Sequence, residues 1–413
     1  MEEHMKILHT SDWHLGKRLD RFSRISEQKL VMDELVAQVE SHDIDLVLIS
    51  GDLFDTFNPA AEAIDLFYRS LVRLSGYGKR AVIAIAGNHD SPERIQAPNP
   101  LARECGIVFA GYPQTLITPF ELLDGFSMLN SEPGFIELSL PRYDYSVRIL
   151  LTPYANQVRL QTYLGGDSGK SLQEVLSQHW QNLSEKYCDA KGINLLVTHL
   201  MITQPGQDPP EEPDEEKPIL HVGGAEAITT AAIPEEIQYT ALGHLHRQQV
   251  IRESPHPVIY SGSPLAYSFA EADQDKYFML LQAEPGRPIE WTRHVLTSGK
   301  RLYRQRFSNV RDAVQWLNQH QDSWVELTMN TETFLSAKEK RLLLDSHEGI
   351  TSIIPEIKNQ NAFAGESETQ IDLNRSIQDL FVDYFRSKHQ QDPSDELLDL
   401  FRELLAQEQE DEA

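Results

Sequence analysis

The chain has 413 residues, a formal net charge of −26, and 40 % hydrophobic and 24 % charged residues. That is a globular composition long enough for two or three domains, and its acidity argues against strong unaided nucleic-acid binding, which calls for a basic footprint. No run approaches the ~18 apolar residues of a membrane span, the N-terminus lacks a secretory pattern, and Cys105 and Cys188 have no paired spacing that would suit a disulfide framework or a thiolate zinc site. A cytoplasmic protein is expected.

Taken in order, the first 270 residues repeat one theme, a short apolar run, a small polar cluster and then a helical pattern. The runs 6–9 (KILH), 46–50 (LVLIS), 81–86 (AVIAIA), 195–198 (LLVT), 239–242 (YTAL) and 258–261 (VIYS) read as buried strands. Between them, Met32, Leu35, Val36 and Val39 keep the i, i+3, i+4, i+7 spacing of an amphipathic helix. Ile64, Phe67, Tyr68 and Leu71 do the same, as do Leu172, Val175, Leu176 and His179. Strand–helix alternation predicts an α/β layered domain over residues 5–297. Residues 113–148 have weaker periodicity and are expected to hold extra strands or loops, and 208–216, with six acids and no base, reads as an acidic loop without apolar surface to bury.

After residue 297 the pattern changes. Strands at 302–307, 324–329 and 350–357 and helices at 310–320 and 337–346 predict a small α+β unit over 298–358. A polar linker, 359–375, leads to a helical pair over 376–413, whose faces carry Ile377, Leu380, Phe381, Tyr384 and Phe385, then Leu397, Leu398, Phe401, Leu404 and Leu405. Asp392-Pro393 supplies an N-cap and a first-turn proline between them. Residues 366–413 hold fourteen acids against four Lys and Arg.

Five polar clusters stand at predicted strand ends: Ser11-Asp12-Trp13-His14, Gly51-Asp52-Leu53-Phe54-Asp55, Gly87-Asn88-His89-Asp90, Thr198-His199 and Gly243-His244-Leu245-His246. Strand ends of an α/β sheet converge on one edge, where ligands bind. Carboxylates, imidazoles and one amide without thiolates suit Mn²⁺, Zn²⁺ or Fe²⁺. Asp-x-His and His-x-His put both ligands on one side of an extended segment, and the glycines beside Asp52, Asn88 and His244 permit tight turns and close approach. Alone, an Asp-x-His reads as chance, Gly-Asn-His-Asp as a turn or a site, and His199 as a core histidine; it is the five together, in order, that point to a metal site.

That order, carried by HTSDWHLG, GDLFDTFNP, GNHDS and ALGHLHR followed by YSGSPLAYSF, resembles the calcineurin-like metallophosphoesterases, and within them the double-strand-break repair nucleases. The resemblance covers essentially the whole chain. It implies a layered α/β β-sandwich flanked by helices, with a small α+β capping domain and a C-terminal helical pair. It implies two Mn²⁺ per chain, with Mg²⁺, Zn²⁺ or Fe²⁺ as alternatives: one cation on Asp12, His14 and His246, the other on Asn88, His199 and His244, and Asp52 bridging. His89 is the implied non-ligand histidine that protonates the leaving 3′-oxygen or stabilises the transition state.

Asp55 stands where some relatives have histidine; it reads as a catalytic residue orienting His89 or as a turn acid. Asp90 is expected to brace the Asn88–His89 turn, and His9 to be a strand histidine. Lys17, Arg18, Arg21, Arg24 and Arg94 are candidates for the phosphate backbone or for solvated loop charge. The implied activity is phosphodiester hydrolysis in DNA, exonucleolytic on duplex ends and endonucleolytic on hairpins and single strands. The implied partner is an ABC-type ATPase docked on the C-terminal helices, in an assembly of two nuclease subunits and two ATPases that uses ATP only through the partner. A small-molecule or monoester phosphatase on the same centre is the alternative, since fold does not settle substrate. A non-catalytic scaffold is disfavoured by the intact ligand set.

Overall fold

The computed structural model describes residues 4–123, 125–154, 171–207, 227–272, 274–331 and 335–357, together with Leu398. The acidic segment 208–216, the linker 359–375 and the expected helical pair 376–413, Leu398 apart, lie outside the described residues.

Each of the six apolar runs forms a strand, and these strands belong to two sheets. The six-stranded sheet runs Glu290–Leu296, Lys276–Ala283, Met5–Thr10, Leu46–Ile49, Ala81–Ile85, Ile107–Ala110 from edge to edge. Its last four strands are parallel, and Lys276–Ala283 pairs antiparallel with Met5–Thr10 and with Glu290–Leu296. The eight-stranded sheet has a parallel centre, Val258–Tyr260, Tyr239–Leu242, Ile193–Thr198 and Ser146–Thr152. Antiparallel strands flank it, including the meander Phe120–Glu121, Ser127–Glu132, Phe135–Ser139 in the weakly periodic 113–148 stretch.

The sheets pack face to face over a core of Ile7, Leu48, Ile83, Ile136, Ile149, Leu195 and Ala241, all fully buried. The outer face of the six-stranded sheet is covered by helices Ile25–Ser41 and Ala61–Leu74, which bury Val31, Leu35, Phe67 and Leu71 against Val47 and Val82. The other outer face is covered by helix Leu172–Tyr187, started by a Ser171–Glu174 capping box. Its buried stripe is Leu172, Val175, Leu176, Trp180 and Leu183. The indole of Trp180 packs into the core where the spacing puts half-buried His179, and donates to Thr152 Oγ1 at 2.9 Å. Residues are therefore apolar on both sides of each central strand, as layered sheets require.

Residues 301–357 add a three-stranded sheet in the order Arg301–Phe307, Ser323–Thr331, Ile350–Ile357, the first two parallel and joined by helix Val310–Gln319. Ala313, Leu317, Val325, Leu327, Met329, Leu343 and Ile350 form its core. Through Thr331 and over Leu335–Glu356 it belongs to the same compact unit as the sandwich. Leu302 and Trp324 pack with Leu19 and Phe269, and the Trp324 indole donates to Glu27 Oε1 at 2.8 Å. No helix of the described residues is long and apolar enough to cross a membrane.

Candidate metal centre

Parallel strands release their C-terminal ends on one edge, and the polar clusters meet there. Asp12 and His14 follow Met5–Thr10, Asp52 follows Leu46–Ile49, and Asn88 and His89 follow Ala81–Ile85 in one sheet. His199 follows Ile193–Thr198, and His244 and His246 follow Tyr239–Leu242 in the other. The sheets are tied across the edge: the His244 amide donates to Asp12 Oδ1 at 2.9 Å, and His199 Nδ1 to the Ser50 carbonyl at 2.7 Å.

The residue between each ligand pair is an anchor. Trp13 is fully buried, packed edge-on against Phe67 and donating to Thr10 Oγ1, and Leu245 is buried in the opposite sheet's core. The segments are nonetheless not extended, as side-chain alternation along a strand would require. Asp12, His14, Asp52 and His244 have φ of 53°, 42°, 48° and 110°. Such left-handed residues cost about 1–3 kcal/mol each and persist where their surroundings over-determine them. The first, second and fifth clusters thus turn through left-handed residues that aim their side chains at one point.

Close packing of glycine makes this possible. A Cβ at Gly51 would stand 2.3 Å from His199 Nδ1, one at Gly87 2.2 Å from Asp52 Oδ1, and one at Gly243 1.9 Å from the Ser50 carbonyl oxygen. Asp90 completes the frame, its carboxylate accepting from the amides of Gly87 (2.8 Å), Leu53 (3.0 Å) and Phe54 (2.9 Å). It joins the second and third clusters and does not face the donor group. Burial and then the nearby Asp52 charge push its pKa up to about 6.

Asp12, His14, Asp52, Asn88, His199, His244 and His246 are all buried and converge. Asp12, His14 and His246 form one group with ligand atoms within 4.8 Å of one another; Asp12, Asp52 and His199 form another, and His14, Asp52 and a ring nitrogen of His89 a third. Asp52 Oδ2 lies 3.5 Å from His14 Nε2 and 3.4 Å from His199 Nε2, between the two sides. Asn88 Oδ1 is 2.9 Å from His199 Nε2 and 3.0 Å from His244 Nδ1.

These contacts have the chemistry of a cation site. His14 Nε2 and His246 Nε2 stand 2.9 Å apart. His199 donates Nδ1–H to a carbonyl, so a neutral ring turns a lone pair toward Asn88 Oδ1, itself a lone-pair bearer. Donor atoms facing one another in this way are reconciled by a positive charge between them. The electrostatics favour positive charge here too: burial opposes a charge on His199, yet the Asp52 and Asp12 carboxylates push its pKa up to about 9, so that without a cation the ring itself carries that charge. Burial likewise works against ionised Asp52, yet His199 and His89 hold it well below the usual carboxylate range. His14, whose ring burial dominates, is pushed down to about 3 and stays a neutral donor. Two carboxylates, four imidazoles and an amide without a thiolate fit a pair of borderline divalent cations.

His89 is half-buried beside this group. Its amide donates to Asp52 Oδ1 at 2.9 Å, its Nδ1 faces the Asp55 carbonyl at 2.9 Å, and its ring packs edge-on to His14 at 4.9 Å. The contact that orients His89 therefore comes from the Asp55 backbone and not from its carboxylate. The carboxylate instead pairs with Lys17 Nζ at 2.9 Å and faces His14 Nδ1 at 3.7 Å. His14 and Lys17 hold it below the usual carboxylate range against the opposing effect of burial.

Arg24 is not at the rim: it is buried, paired with Glu27 at 2.6 Å and bonded to the Ala266 carbonyl. Exposed Arg94 reaches Asn58 Oδ1 at 2.9 Å, exposed Arg18 turns back on the Arg21 carbonyl, and exposed Arg21 covers Phe22. His9 is a core histidine, bonded to the Tyr239 hydroxyl at 2.9 Å and pushed down to about 3 by burial.

Several supporting residues are not ligand types, so the sequence gives them no role, although Ser261-Gly262-Ser263 after the last strand resembles a family element near the site. Ser11 Oγ bonds Asp12 Oδ2 and lies 2.7 Å from Ser261 Oγ. Gln28 Nε2 donates to the His14 carbonyl at 2.8 Å while its Oε1 accepts from Gly16. Gly262, at φ 76°, leaves room for the His246 carbonyl, which a Cβ there would meet at 2.7 Å. The Ser261-Gly262-Ser263 run thus packs beneath Asp12 and His246.

Residues 5–248 match the calcineurin-like phosphoesterase family. The SbcD subunit of the SbcCD nuclease of Bacillus subtilis is 34 % identical over 99 % of this chain and 100 % of its own length. The Staphylococcus epidermidis protein of the same name is 31 % identical over 70 % of this chain and 68 % of its own. A crystal structure of a dimetal phosphatase from Danio rerio, 12 % identical, aligns with 72 % of this chain and 100 % of its own at a TM-score of 0.39. The chain belongs to the calcineurin-like phosphoesterases and, within them, to the SbcD nucleases, metal-dependent phosphodiester hydrolases.

Proposed function

We propose that this protein is a Mn²⁺-dependent DNA nuclease, removing nucleotides from duplex ends and cutting hairpins and single strands, in concert with an SbcC-type ABC ATPase. The position of Asp52 carries the reading: one buried carboxylate oxygen lies within 3.5 Å of imidazoles from both sides of the site. In this reading Asp12, His14 and His246 hold one cation, Asn88, His199 and His244 hold the other, and Asp52 is shared. When bound, two such cations supply Lewis acidity toward a phosphodiester and make water nucleophilic at neutral pH.

The chain's own residues do the rest. Gly51, Gly87 and Gly243 keep the donors in register, Asp90 fixes the second and third clusters together, and burial of the strand ends keeps the donors desolvated. His89 has its Nδ1 committed to the Asp55 carbonyl, which leaves Nε2 to deliver a proton to the leaving 3′-oxygen. A positioned acid of this kind contributes ~10²–10⁴-fold.

The unit 298–358 is assigned as a capping domain that selects DNA shape, with 359–375 as linker and 376–413 as the ATPase docking segment. Their support is the sequence pattern: two short apolar helical faces behind a polar linker need a partner to bury them. The partner also accounts for an acidic chain acting on DNA, since a clamp around the duplex can supply the basic surface that the net charge of −26 does not. A dimer of two chains with two ATPases is the corresponding assembly.

The test is a Mn²⁺ time course on labelled linear and hairpin duplexes beside a phosphomonoester and a generic phosphodiester, with and without the ATPase and ATP. DNA cleavage abolished by chelator and stimulated by the ATPase is expected. Rapid monoester turnover with DNA untouched in the partner's presence overturns the substrate.

A further inference from the structure

Twenty-five and thirty residues beyond His246, the two members of a buried ion pair that belongs to none of the five clusters fold back under that ligand. Glu271 and Lys276 are 2 % and 8 % exposed. The Lys276 ammonium donates to Glu271 Oε2, to Ser263 Oγ at 2.9 Å and to the His246 carbonyl at 3.0 Å. Glu271 Oε1 accepts from the amides of Tyr267 (3.0 Å) and Ser268 (3.2 Å) and faces His246 Nδ1 at 3.5 Å. The pair thus holds the backbone of His246 and sets a carboxylate oxygen opposite its ring Nδ1, while the ring's other nitrogen, Nε2, is the one aimed at His14 Nε2.

Burying an ion pair is a poor route to stability, because desolvation offsets the attraction and an apolar pair of equal volume serves as well or better. A charged pair held here is better explained by what it does to its neighbour. Metal-ligating histidines characteristically give their second N–H to a carboxylate or carbonyl, which fixes the tautomer and strengthens the donor nitrogen. The same device recurs across the site: Asp55, tied to Lys17, faces His14 Nδ1, and the Ser50 carbonyl accepts from His199 Nδ1.

We infer that Glu271 is a positioning residue for His246, holding the ring proton on Nδ1 so that Nε2 is the metal donor, and that Lys276 locks Glu271 and the His246 backbone in place. The inference rests on the two-cation reading above and names residues of its own.

The experiment titrates the full-length chain with Mn²⁺, following the free ion by electron paramagnetic resonance. Wild type is expected to take up two equivalents. Glu271→Gln, which keeps volume and a hydrogen-bond acceptor, is expected to bind one of them ~10–100-fold more weakly. Since that variant leaves a buried ammonium uncompensated, Glu271→Gln/Lys276→Met, with neither charge, is measured beside it and expected to show the same selective weakening. Nitrogen-15 histidine spectra of the metal-free wild type, with His246 assigned by difference from His246→Gln, give a readout independent of activity and of the folding of the Glu271 variants: the proton is expected on Nδ1. Wild type with two equivalents and both variants binding as tightly overturns the inference alone, as does a His246 proton on Nε2. Wild type unable to bind two equivalents overturns the two-cation reading itself.

Discussion

In the half of the proposed centre built from Asp12, His14 and His246, the imidazoles are backed by side chains, Asp55 behind His14 and Glu271 behind His246, each carboxylate pinned by a lysine. In the half built from Asn88, His199 and His244, the backing is main chain: the Ser50 carbonyl holds His199, and Gly51, Gly87 and Gly243 bring backbone against the ligands. The first arrangement is electrostatic and adjustable residue by residue. The second is steric, and tolerates no added atom. Asp52 belongs to both, and the comparison can be broken at that residue first.

Asp52→Ala removes the shared carboxylate. On the scale of losing one partner of a buried charge pair, about 3–5 kcal/mol, both equivalents of Mn²⁺ should be lost in a binding titration and hydrolysis should fall to background. Retention of one tight equivalent would show that the halves are independent sites. His89→Ala lies outside both halves and should leave two equivalents bound while lowering kcat by ~10²–10⁴-fold; loss of metal in that variant would make His89 a ligand.

Gly51→Ala tests the steric half. It adds left-handed strain at φ 94° to a Cβ 2.3 Å from His199 Nδ1, so stability in denaturant should drop by about 2–5 kcal/mol and the His199 side should lose its cation first. Asp55→Asn tests the electrostatic half and is the mildest change. It should weaken one equivalent by roughly 10-fold with little loss of stability, the Lys17 contact being partly exposed. An Asp55→Asn variant with unchanged binding would confine carboxylate backing to His246.

The strand-end clusters and central strands are legible because each carries its own local signal, an apolar run followed by small polar residues. The antiparallel edge Lys276–Ala283 and Glu290–Leu296 carries no such signal, since no cluster follows it and Glu290–Leu296 is mostly exposed. The meander at 120–139 stays open between strand and loop in the sequence because its edge strand is two residues long and Leu129 is exposed. Arg24 can pass for a DNA contact because the sequence does not reveal that Glu27 and Trp324 close over it. The position of Asp55 in the chain puts it beside the site, as found, but its carboxylate and its carbonyl point to different histidines.

Local chemistry along the chain was enough to determine the layered α/β class and the residue types that meet at the strand ends, because period and turn composition are properties of neighbouring residues. Only the tertiary structure decided which nitrogen of each histidine faces the site and what stands behind it. Those partners, Ser50 behind His199, Asp55 behind His14 and Glu271 behind His246, lie 149, 41 and 25 positions away. Burial is what gives such contacts their weight, since a carboxylate beside an imidazole matters far more in a dry, low-dielectric edge than in water.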